Sequence, residues 1–102
     1  MRKIKIAVAG CLGRMGQEIV KEVIKNKKLI FIGGFEHKSH PNLNKRLDDI
    51  TDIDSNCVVS SAPNKIIKDA NILIDFTSPA SSLKNIKIAA ANNTAVVVGT
   101  TG

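Results

Sequence analysis

The fold is decided by the segment from Ile4 to Gly16, which reads IKIAVAGCLGRMG. Apolar side chains alternate with small or basic ones in its first half, as in a β-strand that ends at Gly10. Gly10, Gly13 and Gly16 then recur at every third position, and helical periodicity follows. Glycine lets a backbone turn sharply and approach a pyrophosphate, whose charge is met by the amides of a helix N-terminus. The segment therefore predicts a strand, a nucleotide-binding glycine loop and a helix.

The spacing of this loop departs from the usual dinucleotide pattern GxGxxG, because Leu12 stands where the second glycine is common. A tight turn without a ligand would also account for the three glycines. However, Glu36 ends the predicted second strand, 20 residues after Gly16. A carboxylate at that point can accept a hydrogen bond from a ribose 2′-hydroxyl. The glycines and the acid together favour a nucleotide site over a bare turn.

The rest of the chain alternates between strand and helix patterns. Strands are predicted at Lys3–Ala9, Leu29–Glu36, Cys57–Ser61, Ile72–Phe76 and Ala95–Val98, and helices at Met15–Lys25, at Asn64–Asp69 and from the Ser78 N-cap to an Asn92-Asn93 stop. The polar stretch 37–56 is predicted to be a loop that holds a short turn of helix. This alternation predicts one domain, residues 1–102, with an α/β Rossmann-like, doubly wound parallel sheet of about five strands.

Ligands of such sheets bind at the carboxyl ends of the strands. Four loops follow predicted strands and are expected at that edge: Gly10–Gly16, Glu36–Lys38, Phe76–Pro79 and Gly99–Gly102. Arg14 has the planar fork that suits phosphate oxygens. Glu36 suits the ribose of NAD, whereas Lys38 could accept the 2′-phosphate of NADP, so the cofactor preference stays open. The alternative for Lys38 is that it is one of many solvated lysines without a ligand. The alternative for the loop Gly99–Gly102 is a simple turn.

The composition excludes several other functions. The net charge is +6, from 15 basic and 9 acidic residues, and 11 of the basic residues lie in residues 1–46. The chain has no Tyr or Trp on which bases could stack, and its basic residues are scattered, so no nucleic-acid partner is expected. No apolar run approaches the roughly 20 residues of a membrane span, which favours a cytoplasmic protein. Cys11 and Cys57 are expected to be free thiols, and His37 with His40 is too small a set for a metal site.

Three motifs together resemble the 4-hydroxy-tetrahydrodipicolinate reductase (dihydrodipicolinate reductase) family over the whole chain. They are the glycine loop with Arg14-Met15-Gly16, then Asp75-Phe76-Thr77, and finally Gly99-Thr100-Thr101-Gly102. The resemblance implies an oxidoreductase of bacterial and plant lysine and diaminopimelate synthesis. Such an enzyme uses NADH or NADPH to reduce a small cyclic dicarboxylate.

The resemblance also implies roles for individual residues. The pyrophosphate side of the nicotinamide dinucleotide would contact the glycine loop, the adenosine ribose would contact Glu36, and Thr101 would also approach the substrate. The complete expected cofactor-binding set is Gly10, Cys11, Gly13, Arg14, Met15, Gly16, Glu36, Lys38, Phe76, Thr77, Gly99, Thr100 and Thr101. No catalytic residue and no metal ligand is expected in this chain.

The chain also departs from the family. Members continue for well over another hundred residues, which build a homotetramer and carry a His-His…Lys motif for substrate and proton transfer. The chain is therefore expected to be the N-terminal, nucleotide-binding part, with its sheet incomplete relative to the full-length family. Alone it should be a monomer or weak oligomer that binds cofactor without turnover. The alternative is a non-catalytic nucleotide-binding module that recognises CoA or senses redox state.

Overall fold

The computed structural model describes residues 2–99. Its four strands are all parallel and form one sheet in the order β2-β1-β3-β4. The strands are β1 (Ile4–Ala9), β2 (Leu29–Phe35), β3 (Ile72–Asp75) and β4 (Ala95–Val98), and the helices are α1 (Arg14–Lys25), α2 (Leu47–Ile50), α3 (Pro63–Ile67) and α4 (Pro79–Ala91). This confirms the predicted α/β, doubly wound class. None of the helices within residues 2–99 is long and apolar enough to cross a membrane.

The central strand β1 explains why both faces of the sheet are covered. Ile6 and Val8 project to one face, where they join Val20 and Val23 of α1 in one apolar cluster. Ala7 and Ala9 project to the other face and join a second cluster, which includes Ile67 of α3, Leu73 of β3 and Ala89 of α4. Because alternate side chains of a strand point to opposite faces, each face requires its own layer of helices.

The predicted third strand, Cys57–Ser61, is wrong, since this segment makes only isolated bridges. Ser60 bridges Phe35 at the outer edge of β2, whereas Val58 bridges Arg46 in the antiparallel sense. The backbone of Val59 hydrogen-bonds to the 44–45 segment in both directions. The segment divides its hydrogen bonds between two neighbours and continues no ladder, so the sheet formed by residues 2–99 has four strands and not five.

The helix signals at the end of the chain are confirmed. Ser78 caps α4, and its hydroxyl accepts a hydrogen bond from the Ser81 amide at 3.3 Å. Pro79 is the first helical residue, and Asn93 ends the turn after α4 in the left-handed conformation, with φ of 56°. The predicted turn of helix inside 37–56 is α2.

The strand order reverses at the boundary between β1 and β3, which is where ligands of such sheets bind. The loops that follow these two strands are in direct contact there. The Phe76 amide donates to the Ala9 carbonyl at 3.1 Å, and a Cβ placed on Gly10 would lie 3.2 Å from the Phe76 carbonyl. The fold thus brings the glycine loop and the β3–α4 loop together.

Candidate functional site

Two adjoining grooves lie along the carboxyl edge of the sheet. The larger groove has a volume of about 890 Å³ and runs from the glycine loop past the end of β2 to α4. The smaller groove, about 370 Å³, lies over the start of α1 and reaches the end of β4. Both are lined by Gly13, Phe76 and Thr77, which stand at the boundary between the two grooves.

Most of the predicted cofactor residues line one or both grooves. Of the predicted set, the residues that line the larger groove are Gly10, Gly13, Glu36, Lys38, Phe76 and Thr77. Those that line the smaller groove are Gly13, Arg14, Met15, Gly16, Phe76, Thr77 and Gly99. Thr100 and Thr101 lie outside the described residues. The loops that the sequence placed at one edge are therefore together in space as far as Gly99.

Cys11 differs from the rest of the predicted set, because it lines neither groove. Its side chain is fully buried in the cluster beneath α1, and a Cβ on Gly34 would lie 2.7 Å from its sulfur. Burial raises the pKa of the Cys11 thiol to about 12, with a further contribution from the Glu36 carboxylate. Only the backbone of Cys11 remains available for contact with a ligand.

The three glycines of the loop are required for different reasons. Gly10 has φ of +78°, a left-handed conformation that glycine adopts without strain. A Cβ on Gly16 would overlap the Gly10 carbonyl oxygen, so α1 can pack this close to β1 only with glycine there. Gly13 has ordinary φ of −69°, and a Cβ on it would meet only the Gly10 oxygen, at 3.4 Å. The protein leaves the space above Gly13 open.

The N-terminus of α1 faces the smaller groove with unused donors. Within residues 2–99, the amides of Arg14, Met15 and Gly16 donate to no protein acceptor, whereas the Gln17 amide bonds the Gly13 carbonyl. The first turn holds no acidic residue, and Arg14 is exposed. Free amides, a helix dipole and a guanidinium group together make this the most favourable position for an anion along the edge.

Besides the expected ribose, Glu36 has a partner within the protein that the sequence did not reveal. Its Oε2 accepts a hydrogen bond from the Leu12 amide at 2.7 Å. The carboxylate, half-buried beside the larger groove, therefore ties the glycine loop to the end of β2. Leu12, which stands in place of the usual second glycine, contributes only its backbone N–H to this contact, and every residue type except proline provides that group.

The larger groove is bordered by basic side chains. Lys38 and His37 are exposed where the chain leaves β2, His40 is half-buried nearby, and Lys84 projects from α4. The Nδ1 atom of His37 accepts from the Ser39 amide at 3.2 Å, which leaves Nε2 as the donor of the neutral ring. This end of the groove is suited to a negatively charged ligand.

The loop after β3 is held by a buried carboxylate. Asp75 is fully buried; its Oδ1 accepts from the Thr77 amide at 2.8 Å and from the Thr77 hydroxyl at 2.6 Å. Its Oδ2 accepts from the Asn85 side chain at 3.0 Å. The network fixes Thr77 and the first turns of α4 relative to each other.

Gly99 is needed because of the Phe76 ring. A Cβ on Gly99 would overlap this ring, and the Gly99 amide donates to the Asp75 carbonyl at 2.8 Å. The Phe76 ring therefore lies directly against the end of β4. It forms an apolar wall shared by both grooves.

Several lining residues were missed by sequence reasoning. They are Phe35, His40, Ser61, Pro63, Ala80, Ser81, Lys84, Asn85 and Ile88, whereas Leu12, His37 and Ser78 lie in loops that the sequence placed at this edge. The spacing of Ser81, Lys84, Asn85 and Ile88 along α4 marks one helix face, so this signal was available. Ser61 and Pro63 gave no signal, because they follow a segment that is not a regular strand.

Comparison with known proteins agrees with this arrangement. The profile of a family described as "Dihydrodipicolinate reductase, N-terminus" matches residues 4–102. The 4-hydroxy-tetrahydrodipicolinate reductase of Methanococcus aeolicus is 37% identical over 105 residues, covering 97% of this chain and 38% of the relative. That of Pelagibacter ubique is 36% identical over 102 residues, covering 100% of this chain and 36% of the relative. The chain thus spans just over a third of the length of these relatives.

Solved structures give the same result. Dipicolinate-bound dihydrodipicolinate reductase from Paenisporosarcina sp. TG-14 superposes with a TM-score of 0.76 at 26% identity, over 98% of this chain and 38% of that one. Aspartate semialdehyde dehydrogenase with NADP from Candida albicans superposes with a TM-score of 0.79, over 96% of this chain and 30% of that one, but at 16% identity it shares the fold alone. The match across residues 4–102 establishes that this chain belongs to the family of dihydrodipicolinate reductase N-terminal domains.

Proposed function

We propose that residues 1–102 form the nicotinamide-dinucleotide-binding domain of a 4-hydroxy-tetrahydrodipicolinate reductase. The observation that carries this proposal is the smaller groove, which combines the three free amides at the start of α1 with Phe76, Thr77 and Gly99. A pyrophosphate fits the amides and Arg14, and a flat nicotinamide ring fits the apolar wall of Phe76 beyond Gly13.

The larger groove suits the adenosine half of the same cofactor. Glu36 keeps Oε1 without a protein partner in residues 2–99 while Oε2 binds Leu12, so Oε1 is available for a ribose hydroxyl. Lys38, as a cation, and His37, as a hydrogen-bond donor through Nε2, stand next to it and suit a 2′-phosphate. Both NADH and NADPH therefore fit, with the acid favouring the first and Lys38 favouring the second.

The reaction proposed for the full-length protein is hydride transfer from NADH or NADPH to a small cyclic dicarboxylate, in lysine and diaminopimelate synthesis in the cytoplasm. Such a transfer needs a nearby proton donor and several donors for two carboxylates. Arg14 is the only ionisable side chain that lines the smaller groove within residues 2–99. Substrate positioning and protonation are therefore assigned to the part of the reductase beyond this domain, with Thr101 as the residue of this chain closest to substrate.

Titration calorimetry of the 102-residue chain with NADH, NADPH and CoA tests the proposal. NADH or NADPH should bind with a one-to-one stoichiometry, and CoA should bind at least about tenfold more weakly, a difference of ~1.4 kcal/mol. Preferential binding of CoA would support the alternative, a non-catalytic CoA-binding module. Absence of binding to either dinucleotide would contradict the proposal.

A further inference from the structure

Asp75 is a buried carboxylate that forms no ion pair with any of the residues that the structure describes. None of the ion pairs formed within residues 2–99 includes it. Its contacts are the amide and hydroxyl of Thr77 and the side-chain amide of Asn85, all neutral donors. Every contact donates a hydrogen towards the carboxyl oxygens, so the ionised form satisfies the whole network.

A purely structural role does not require this charge. Burying an ion is costly, and an asparagine at position 75 could accept from Thr77 and donate to a rotated Asn85 amide. The network would then persist without the charge. The hydrogen bonds alone therefore do not explain why position 75 carries a negative charge.

The carboxylate lies immediately behind the groove walls. Thr77, whose hydroxyl is 2.6 Å from Asp75, lines both grooves, and Phe76 is the next residue in the chain. The positive groups along the two grooves include Arg14 at the smaller groove, Lys38 and Lys84 at the larger one, and the N-terminal end of α4. Each of these would disfavour a second positive charge in the groove, and Asp75 is the buried group of opposite sign.

The two redox states of a nicotinamide ring differ in charge. The reduced ring is neutral, and the ring that has lost a hydride carries one positive charge. We propose that Asp75 stabilises the oxidised, cationic ring relative to the reduced one and so favours hydride donation. This inference rests on the proposed cofactor function, and it concerns the charge of Asp75 rather than its hydrogen bonds. A buried charge acts through a medium of low dielectric constant and is weakly screened by salt.

The test compares the affinities of the chain for NAD⁺ and NADH by titration calorimetry. In Asp75→Asn, the ratio of the NAD⁺ to the NADH dissociation constant should rise by about fivefold, a change within reach of one charge across a protein interior. ADP-ribose, which lacks the ring, should bind as tightly as to the parent. The matched control is Asp54→Asn, which removes an exposed carboxylate and should leave the ratio unchanged.

A further exchange separates the charge from the residue that carries it. The exchange Asp75→Asn with Asn85→Asp returns a carboxylate to the same network and should move the ratio back towards the parent. Asp75→Ser removes the charge with a smaller side chain and takes the place of Asp75→Asn if that variant fails to fold.

An unchanged ratio in the variants that lack the charge would overturn the inference. This outcome leaves the proposed function intact, because ADP-ribose and both dinucleotides still bind. Failure of the parent chain to bind ADP-ribose, NAD⁺ and NADH would instead refute the proposed function, and this inference with it.

Discussion

At the residue scale, the glycine loop separates requirements of the fold from requirements of the ligand. Gly10 and Gly16 are fixed by the protein, one by its backbone conformation and the other by the contact between α1 and β1. Gly13 meets no such restriction. A spacing of three glycines cannot distinguish these roles, because the difference lies in what each Cβ would touch.

Gly13→Ala and Gly16→Ala form a matched pair of substitutions. Gly13→Ala should keep the parent's stability but weaken dinucleotide binding by about tenfold or more, because its methyl enters the path of the pyrophosphate. Gly16→Ala should lower the free energy of unfolding by about 2 kcal/mol or more through overlap with the Gly10 carbonyl. Urea unfolding and titration calorimetry measure the two effects. Equal destabilisation by both substitutions would contradict the assignment.

Cys11 makes stability depend on pH in the alkaline range. The thiol has a pKa of about 12 in the fold against an ordinary value of 9.0, so the unfolded chain loses this proton first as pH rises. The stabilisation is fully present below pH 9 and is lost towards pH 12, at up to about 1.4 kcal/mol per pH unit. Urea unfolding, followed by circular dichroism at pH 8 and pH 10.5, should show a steeper loss in the parent than in Cys11→Ala. Parallel losses would show that Cys11 ionisation is not responsible.

At the element scale, β1 and α1 were predictable because each has a local period, and β2 because it is a run of β-branched and aromatic residues. Apolar residues alternate along β1 and recur at helical spacing along α1 because particular faces of these elements are buried. The positions of the apolar residues in the sequence show this pattern directly. The segment 57–61 looks equally strand-like, but its hydrogen bonds are divided between β2 and the 44–47 segment. Strand pairing depends on distant partners, and local pattern does not contain that information.

Glu36 connects two elements, which changes what its substitution should do. Glu36→Ala removes the acceptor for the Leu12 amide, so it should weaken the binding of both NADH and NADPH. The affinity for NADH should fall further, because NADH also loses the contact between Glu36 and its ribose. Glu36→Gln keeps an acceptor for Leu12 and removes a charge that repels a 2′-phosphate, so NADPH should gain relative to NADH. Fluorescence titration of the reduced cofactors measures both ratios. An identical effect of the two substitutions would refute the contact with the glycine loop.

Lys38 provides the opposite selectivity test. Lys38→Ala should weaken the binding of NADPH by several-fold and leave the binding of NADH nearly unchanged, since only NADPH carries the additional phosphate. Lys27→Ala, at an exposed position between α1 and β2, is the matched control. Equal losses of both cofactors in Lys38→Ala would leave only a general electrostatic contribution.

At the scale of the whole molecule, the doubly wound order places the strand-end loops along one edge. This explains why the candidate site could largely be predicted from the sequence: motifs that follow parallel strands are brought together by topology. The α4 face and the Leu12 amide were not predicted. Their roles depend on how closely a helix and a loop approach the groove, which follows from packing rather than from a motif.

The isolated chain should bind the dinucleotide without turnover. Positioning a substrate for hydride transfer supplies roughly 7–11 kcal/mol of the barrier. Within residues 2–99, the smaller groove is lined by neither a general acid such as His or Lys nor a set of cations for two carboxylates. NADPH oxidation at high protein concentration, with freshly generated substrate, measures this. Turnover within tenfold of a full-length relative would show that catalysis resides in this chain.

The central claim is that the edge between β1 and β3 binds a nicotinamide dinucleotide through the start of α1. Amide chemical shifts of the ¹⁵N-labelled chain, recorded with and without NADPH, test it most directly. The largest changes should fall on Arg14, Met15 and Gly16, whose amides have no acceptor within residues 2–99, and on Thr77 and Gly99 across the smaller groove. ADP-ribose should reproduce the changes at α1 and not those at Thr77 and Gly99. Changes confined to other surfaces, or none at saturating NADPH, would contradict the account.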